Sequence, residues 1–438
     1  LLLPFFYFIG CNSEQKAKFR TQVSIQNGKW YFNNEIINKD SPAEGLLMNV
    51  RMVNSMFEDR GEAIPNEFDH FEPMQNTANF ISVIPEYVQS GINAFTVSLQ
   101  GGLPGYEGAV NSAFNSDGTL RDEYFKRVEK IIQTADANNA VIILSCFYQR
   151  QHSHFSALNG KESIKNALKN VVDWVTKKKF SNVILEVSNE YRHGGFRNWP
   201  DGDWLISAAG QVELIKLARQ VNPNLLISTS GMGNGKMEDE IISAADFILI
   251  HFNNTSLNDY NNRISVLKKY KKPIVCNEDN KLGKMGAMAL KFSVLNGSGW
   301  GYMNMPKNQY IPFEYDGTDD DPEVYSTFRN VTTPGYQINP NMVNQTFIMI
   351  TNPNDGQVFN TGHNLRIHVS LVNPPDSMQY HVEIMANGEP VAITKRNLRA
   401  NWLLLKTGTF VLKAVLKDNE GREIHISPPT DIIVQSDK

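Results

Sequence analysis

The chain has 438 residues, of which 41% are apolar, 10% aromatic and 20% charged, enough apolar material for large buried cores and too much for global disorder. Its 30 glycines and 20 prolines are ordinary usage and exclude collagen-like or low-complexity classes. A net charge of −4 without a basic stripe argues against a nucleic-acid partner, and no apolar run of about 18 residues follows the N-terminus.

Residues 1–10, LLLPFFYFIG, are too short to cross a bilayer and read as the remnant of a signal peptide. Phe8-Ile9-Gly10-Cys11 resembles a bacterial lipobox. The resemblance implies cleavage before Cys11, lipidation of its thiol and new amine, and export to the bacterial outer membrane. Residues 11–21 are polar and unpatterned and would serve as a tether. The competing reading is an ordinary signal peptide with an incidental cysteine. One lipid anchor attaches a domain to a membrane without embedding it.

Between about 45 and 305, short apolar runs alternate with longer amphipathic segments. The strand-like runs are 46–53, 93–99, 140–147, 183–188, 225–230, 247–252, 273–276 and 299–304. Helical patterns cover 79–89, 122–137, 161–177, 203–221, 258–270 and 284–295. Eight such units predict a closed (β/α)8 TIM barrel over 22–338, and no GxGxxG follows the first run to favour a dinucleotide fold. Ahead of it, VSIQNGKWYFNNEII reads as a hairpin turning at Asn27-Gly28 and closing the barrel's bottom. After the connector TPGYQINPNMVNQ, about seven short alternating runs in 345–438 predict an immunoglobulin-like β-sandwich. ITNPNDGQVF, VEIMANGEPV and GTFVLKAVLKDNEGRE resemble Ig-like modules appended to bacterial surface glycosidases. Cys146 and Cys276 end opposite strands and are expected as buried thiols rather than a bridge.

Barrels carry their chemistry at the C-terminal ends of the strands. The fourth run ends in Asn189-Glu190 and the seventh in Glu278. A carboxylate ending an apolar strand is costly to bury without purpose, and two of them across a barrel mouth can flank a glycosidic bond. Asn-Glu after strand four with Glu after strand seven resembles glycoside hydrolase clan A, over about residues 22–335. On that resemblance Glu190 is the acid/base, Glu278 the nucleophile, and Asn189 binds the sugar 2-hydroxyl. Asp279 cannot share the axial face with Glu278, and the resemblance selects Glu278.

Other strand ends offer substrate contacts: Arg51, Gln100, His251, Tyr302 and Asn304. Clan A commonly places a strand-eight aromatic under the cleaved sugar, and Trp300 occupies that unit. The alternative for Trp300 is barrel filler. His251 is placed to orient Glu278 or to be a satisfied core histidine; Arg51 to steady the nucleophile or to neutralise Glu186. The chain departs from the large cellulase-like family, which carries Arg late in strand two and His after strand three; here those places hold Thr96 or Ser98 and Cys146 or Phe147. This sets it apart from that family's standard members. Two loops, 148–154 and 191–204, bring Arg150, His152, His154, Arg192, His193, Arg197, Trp199 and Trp204. They suit an acidic sugar, or are scaffolding with arginines paired to Asp201 and Asp203. His152 is counted among the substrate contacts. No cofactor or metal is called for, since His152-x-His154 lacks a third ligand.

The sequence therefore predicts a retaining β-glycosidase acting on an oligo- or polysaccharide at the cell surface. The rival from another class is a non-catalytic glycan-binding lipoprotein on the same barrel. A barrel enzyme of phosphorylated metabolites is disfavoured, as no glycine-rich phosphate loop follows strands seven and eight.

Overall fold

A computed structural model describes residues 21–58, 71–101, 111–150, 158–310, 312–375, 380–394 and 398–436. The chain opens with an antiparallel meander, β1 (Val23–Gln26), β2 (Lys29–Phe32) and β3 (Glu35–Ile36). Asn27 and Gly28 have φ of 51° and 73°, as a two-residue turn with left-handed central residues requires.

Eight parallel strands follow: β4 (Asn49–Arg51), β5 (Ala94–Ser98), β6 (Val141–Phe147), β7 (Val183–Ser188), β8 (Ile227–Ser228), β9 (Ile248–His251), β10 (Ile274–Glu278) and β11 (Gly301–Tyr302). Six of them form one sheet in the order β8-β7-β6-β5-β4-β11, and β9 pairs with β10. Parallel bridges from Ser230 to Leu249 and from Val275 to Gly299 close the cylinder. The helices of the outer ring are α1 (Pro73–Gln89), α2 (Asp122–Ala137), α3 (Lys161–Lys178), α4 (Ala208–Val221), α5 (Asp239–Ala244), α6 (Leu257–Ser265), α7 (Gly283–Leu295) and α8 (Pro322–Thr332). Helix α1 starts earlier than its apolar pattern because Pro73 suits the first helical turn. Helix α4 starts later than expected, where Ser207 Oγ accepts from Gly210 N at 2.9 Å and caps it. Helices α5 and α8 were not among the sequence's helical patterns.

Alternation sorts the strand side chains. Leu47, Ala94, Ile143, Ile184, Leu249 and Val275 fill the lower axis and pack on Trp30 and Phe32, so the meander plugs the bottom. Val50, Phe95, Leu144, Leu185 and Ile250 face the helices. Burial on both faces is why these strands read as continuous apolar runs.

The C-terminal unit is a sandwich of β12 (Phe347–Asn352), β13 (Gln357–Asn360), β14 (Asn364–Val372), β15 (Tyr380–Ala386), β16 (Glu389–Thr394), β17 (Arg399–Leu403), β18 (Gly408–Asp418), β19 (Glu423–Ile426) and β20 (Thr430–Gln435). One sheet runs β12-β14-β17, the other β13-β20-β18-β15-β16 with β19 on β18. Its own core includes Ile348, Ile367, Val382, Ile384, Leu412 and Ile432. It docks on the barrel through Phe347 against Phe292 of α7, ring centroids 6.0 Å apart. Asn258 Nδ2 donates to Leu371 O at 3.3 Å, Asn373 N to Asn258 Oδ1 at 2.6 Å, and Lys284 Nζ to Pro429 O at 2.6 Å.

Candidate active site

The axial wall turns polar above the apolar plug, and the strand ends close on one cavity of about 360 Å³. Glu190 stands two residues past the end of β7 with φ of 48°, a left-handed conformation that is uncommon outside glycine. Neighbours hold it there: Asn189 N donates to Phe147 O (2.9 Å), Glu190 N to Ser230 Oγ (2.9 Å) and Tyr191 N to Ser230 O (3.1 Å). Such a conformation costs on the order of 1 kcal/mol or more and persists only where the surroundings over-determine it.

Glu278 is the last residue of β10. The β9–β10 register slips by one residue, so that His251 lies opposite Glu278 rather than Asn277. The slip aims Glu278 at the cavity and turns Asp279 away from it. Asp279 takes Trp300 Nε1–H at 2.8 Å, Lys281 Nζ at 2.8 Å and the Tyr260 hydroxyl.

One carboxylate oxygen each from Glu190 and Glu278, with a ring nitrogen of His251, lie within 4.8 Å of one another. Retaining glycosidases hold their carboxyl groups about 5–5.5 Å apart, whereas inverting ones leave roughly 6.5–9.5 Å for a water. The pair here has the short spacing. Arg51 joins the site from β4, with Nε 2.9 Å from Glu278 Oε2 and Nη2 donating to Asn189 Oδ1 at 2.9 Å. Asn253 Nδ2 donates to Glu278 Oε1, so both oxygens of Glu278 are engaged. Asn189 Nδ2 reaches Gln149 Oε1 at 3.4 Å.

His251 lies fully buried beneath the two acids, its Nδ1 3.5 Å from Glu190 Oε1 and 3.6 Å from Glu278 Oε2. These are charge contacts; neither ring nitrogen makes a hydrogen bond among the described residues. The expected orienting hydrogen bond to Glu278 comes from Asn253 instead. Burial alone would lower the His251 pKa, but Glu278 and Glu190 outweigh it and raise it. Burial alone would raise Glu190; His251, His193 and Arg51 outweigh it and hold the carboxyl below its ordinary value. Both directions favour the imidazole over the Glu190 carboxyl as holder of the pair's proton. Glu190, His251 and Glu278 have the spacing of a metal site, but Arg51 already neutralises one of its oxygens, Glu278 Oε2, and opposes a second cation there.

Of the other expected contacts, Gln100 lines the cavity, and its Oε1 accepts from Tyr148 N at 3.2 Å. Four expected substrate contacts are corrected. His251 is buried beneath the acids and does not line the cavity. Trp300 is fully buried against Tyr302 and Phe328 on the helix side, with its indole N–H spent on Asp279. Tyr302 is buried too, donating its hydroxyl to Asp321 Oδ2 at 2.6 Å. Asn304 Nδ2 donates to Asp320 O at 3.0 Å, and its Oδ1 accepts from Lys307 N at 3.3 Å. The cause is register: in β11 the axial positions are Gly301, where a Cβ would meet Asn49 Oδ1 at 2.4 Å, and then Met303. Filler is thus the reading of Trp300 that the packing supports. His152 and Cys11 lie outside the described residues.

Residues the sequence reading did not single out also line the cavity: Gln149, Met232, Met303, Met305 and Gln309. Alternation beyond Gly301 is the signal that finds Met303. From the two basic loops, Arg150 and His193 reach the cavity. Arg192 pairs instead with Glu238, Trp199 is buried against Phe147 and Phe196, and Trp204 donates to Glu213 Oε2 at 2.9 Å. Asp201 takes Lys161 N at 2.8 Å rather than an arginine.

The model of the Cellulase family, glycosyl hydrolase family 5, matches residues 60–283, just over half of the chain. The chain belongs to glycosyl hydrolase family 5. It is a retaining glycoside hydrolase of clan A. It is thus a member of the family from whose standard members the sequence set it apart, and a guanidinium does enter the site, from the first barrel strand, as Arg51.

Solved structures similar to this family 5 chain include an endo-beta-1,4-mannanase from Thermotoga petrophila, at 12% identity and TM-score 0.48, over 90% of this chain and 98% of that one. Another is a tri-modular GH5 (subfamily 4) endo-beta-1,4-glucanase from Bacillus licheniformis, at 14% identity and TM-score 0.46, over 91% and 80%. The fibronectin(III)-like modules of Clostridium thermocellum CbhA align at 22% identity and TM-score 0.19, over 21% of this chain and 98% of that one. With TM-scores below 0.5, none of these likenesses adds to the family assignment. No curated protein matches the chain.

Proposed function

We propose that this hydrolase cleaves β-glycosidic bonds of an oligo- or polysaccharide at the bacterial surface, with Glu278 as nucleophile and Glu190 as acid/base. The observation that carries the reading is the approach of the two carboxylates to within 4.8 Å in one cavity, with Arg51 on Glu278 alone of the two by ion pair.

Glu278 attacks the anomeric carbon while the bond to the leaving oxygen breaks and Glu190 protonates that oxygen. The proton comes from the His251–Glu190 pair, which titrates as a unit; a sugar that excludes water from the cavity disfavours the charged Glu190 and draws the proton onto it. The Arg51 and Asn253 contacts stay with Glu278 as its charge is consumed in the glycosyl ester. Glu190 then removes a proton from water, which attacks the same carbon from the face the leaving group left, and the ester bond breaks. Two inversions return the starting anomer. Asn189, its amide fixed by Arg51 and Gln149, is positioned to meet the sugar 2-hydroxyl, a contact that strengthens in the transition state. Phe8-Ile9-Gly10-Cys11 supports lipid anchoring through Cys11.

A panel of β-linked polysaccharides, with released products followed by proton NMR, tests the reading. Fresh β-anomer is expected from at least one polymer. Fresh α-anomer, or binding without any release, would refute it. Anchoring is checked by membrane fractionation, where Cys11→Ala is expected to free the protein.

A further inference from the structure

A second, larger recess lies beside the active-site cavity, between the barrel and the sandwich, with a volume of about 1090 Å³ against about 360 Å³. The smaller figure is at the low end of the roughly 300–1,000 Å³ of ordinary ligand pockets. The two spaces meet at Asn280, which lines both, and strand-eight's exit runs from Met305 in one to Pro306 in the other. The barrel side of the recess is built from Ser256, Gly283 and Pro322, at the starts of α6, α7 and α8. Helices of a barrel start on the face where its strands end, so the recess opens on the same face as the two carboxylates. Asn354, His368 and Ser370 of the sandwich form the opposite wall, which the hydrogen bonds from Asn258 and Lys284 hold against the barrel.

We propose that this interdomain recess is a distal binding site for the same glycan chain, so that the sandwich supplies remote subsites and the enzyme cuts within long polymers. The proposal rests on the active-site reading above. Its lining is polar, with charged side chains interspersed among amides such as Asn280 and Asn354 and hydroxyls such as Ser256 and Ser370, all groups that hydrogen-bond a hydroxyl-covered chain. Nε2 of His368 is buried with no hydrogen-bond partner among the described residues. Burial, with Arg399 and Arg366, holds that imidazole below its ordinary pKa, which leaves a neutral ring able to accept from a hydroxyl. Among the described lining residues none is Phe, Tyr or Trp, so recognition runs through hydrogen bonds and bridging water. Each contact then contributes modestly, and the benefit appears only for substrates long enough to reach it.

The test compares the full chain with a His368→Ala/Asn354→Ala double variant and with His368→Gln. Substrates are soluble β-1,4-glucan, β-1,4-glucomannan and mixed-linkage β-glucan, each beside a p-nitrophenyl bioside of its own sugar. Loss of one or two hydrogen bonds predicts a rise in KM for the polymer of about fivefold or more, with kcat held and the bioside rate unchanged. His368→Gln is expected to recover part of the polymer KM. The fraction of internal cuts, read from product lengths at early times, should fall in the double variant. Equal effects on polymer and bioside, or no effect on either, would overturn the distal site while leaving the catalytic reading intact. Inactivity of the wild type on every polymer and bioside would overturn both.

Discussion

Arg51 and Glu278 form a buried ion pair, Nε to Oε2 at 2.9 Å, across the first and seventh strands of the barrel. The same guanidinium spans to Asn189 at 2.9 Å, so one side chain sets the spacing of two groups that face the substrate. A lysine supplies one compact charge on a flexible stem and lacks the rigid fork that holds both contacts at once. Arg51→Lys is expected to lower kcat by roughly 100-fold with the fold intact, and Arg51→Ala to lose about 3 kcal/mol as well, because it strands a buried carboxylate. Denaturant titration beside steady-state kinetics checks both. Near-normal turnover of Arg51→Lys would refute the bridging role.

Removal of Glu190 separates its two duties. An aryl leaving group of low pKa departs without a proton, whereas a sugar does not. Glu190→Ala is expected to lower kcat on natural glycans by roughly 1,000-fold. On an activated aryl glycoside it should slow chiefly the second step, with azide restoring turnover as a β-glycosyl azide. A variant equally impaired on both leaving groups and deaf to azide would contradict the assignment.

The site also sets a pH window for stability. The folded pKa of His251 is raised above 6.5, so its contribution is complete below that value and is lost as pH rises through the raised pKa. The Glu190 value is lowered from 4.5, so its contribution is present above 4.5 and is lost as pH falls through the lowered pKa. Tm is therefore expected to be highest between about 4.5 and 6.5 where these groups dominate. His251→Gln should flatten the alkaline fall and move the alkaline limb of the rate profile. An alkaline limb identical in His251→Gln and wild type would show that the proton is not held by this pair.

Glu186 presents a different balance. It is fully buried in the axis, and neither carboxylate oxygen has a hydrogen-bond partner among the described residues. Arg51 feels its charge but reserves its direct contacts for Glu278 and Asn189. A buried unpartnered carboxylate is costly. Glu186→Gln, which keeps the shape, is expected to raise stability by about 1 kcal/mol. A loss of comparable size would mean that Arg51 depends on this second anion.

The barrel was legible because strands buried on both faces spell continuous apolar runs, as in residues 140–147 and 183–188. Register was not. Trp300 is in the right strand but one position off the axial face, and a one-residue offset exchanges a sugar platform for a helix-side filler. The same alternation leaves only one axial place between Glu278 and Asp279, and the slip at Asn277 that settles it has no signature in composition. Gln149 approaches the cavity from a strand exit whose direction depends on tertiary packing. Arg51 was visible as a strand-end cation, but its bridge to Asn189 depends on barrel closure, which brings the first strand opposite the fourth.

Glu278 forms the covalent bond to the sugar in the reaction proposed above. Incubation with a 2-deoxy-2-fluoro β-glycoside that carries a good leaving group, matched to the sugar found by the polysaccharide panel, traps that intermediate for peptide mass spectrometry. One label is expected, on the peptide that contains Cys276, Asn277 and Glu278, fragmenting to Glu278, and none in Glu278→Ala. A label on Glu190, Asp279 or any other side chain of an enzyme that turns over would contradict Glu278 as the nucleophile.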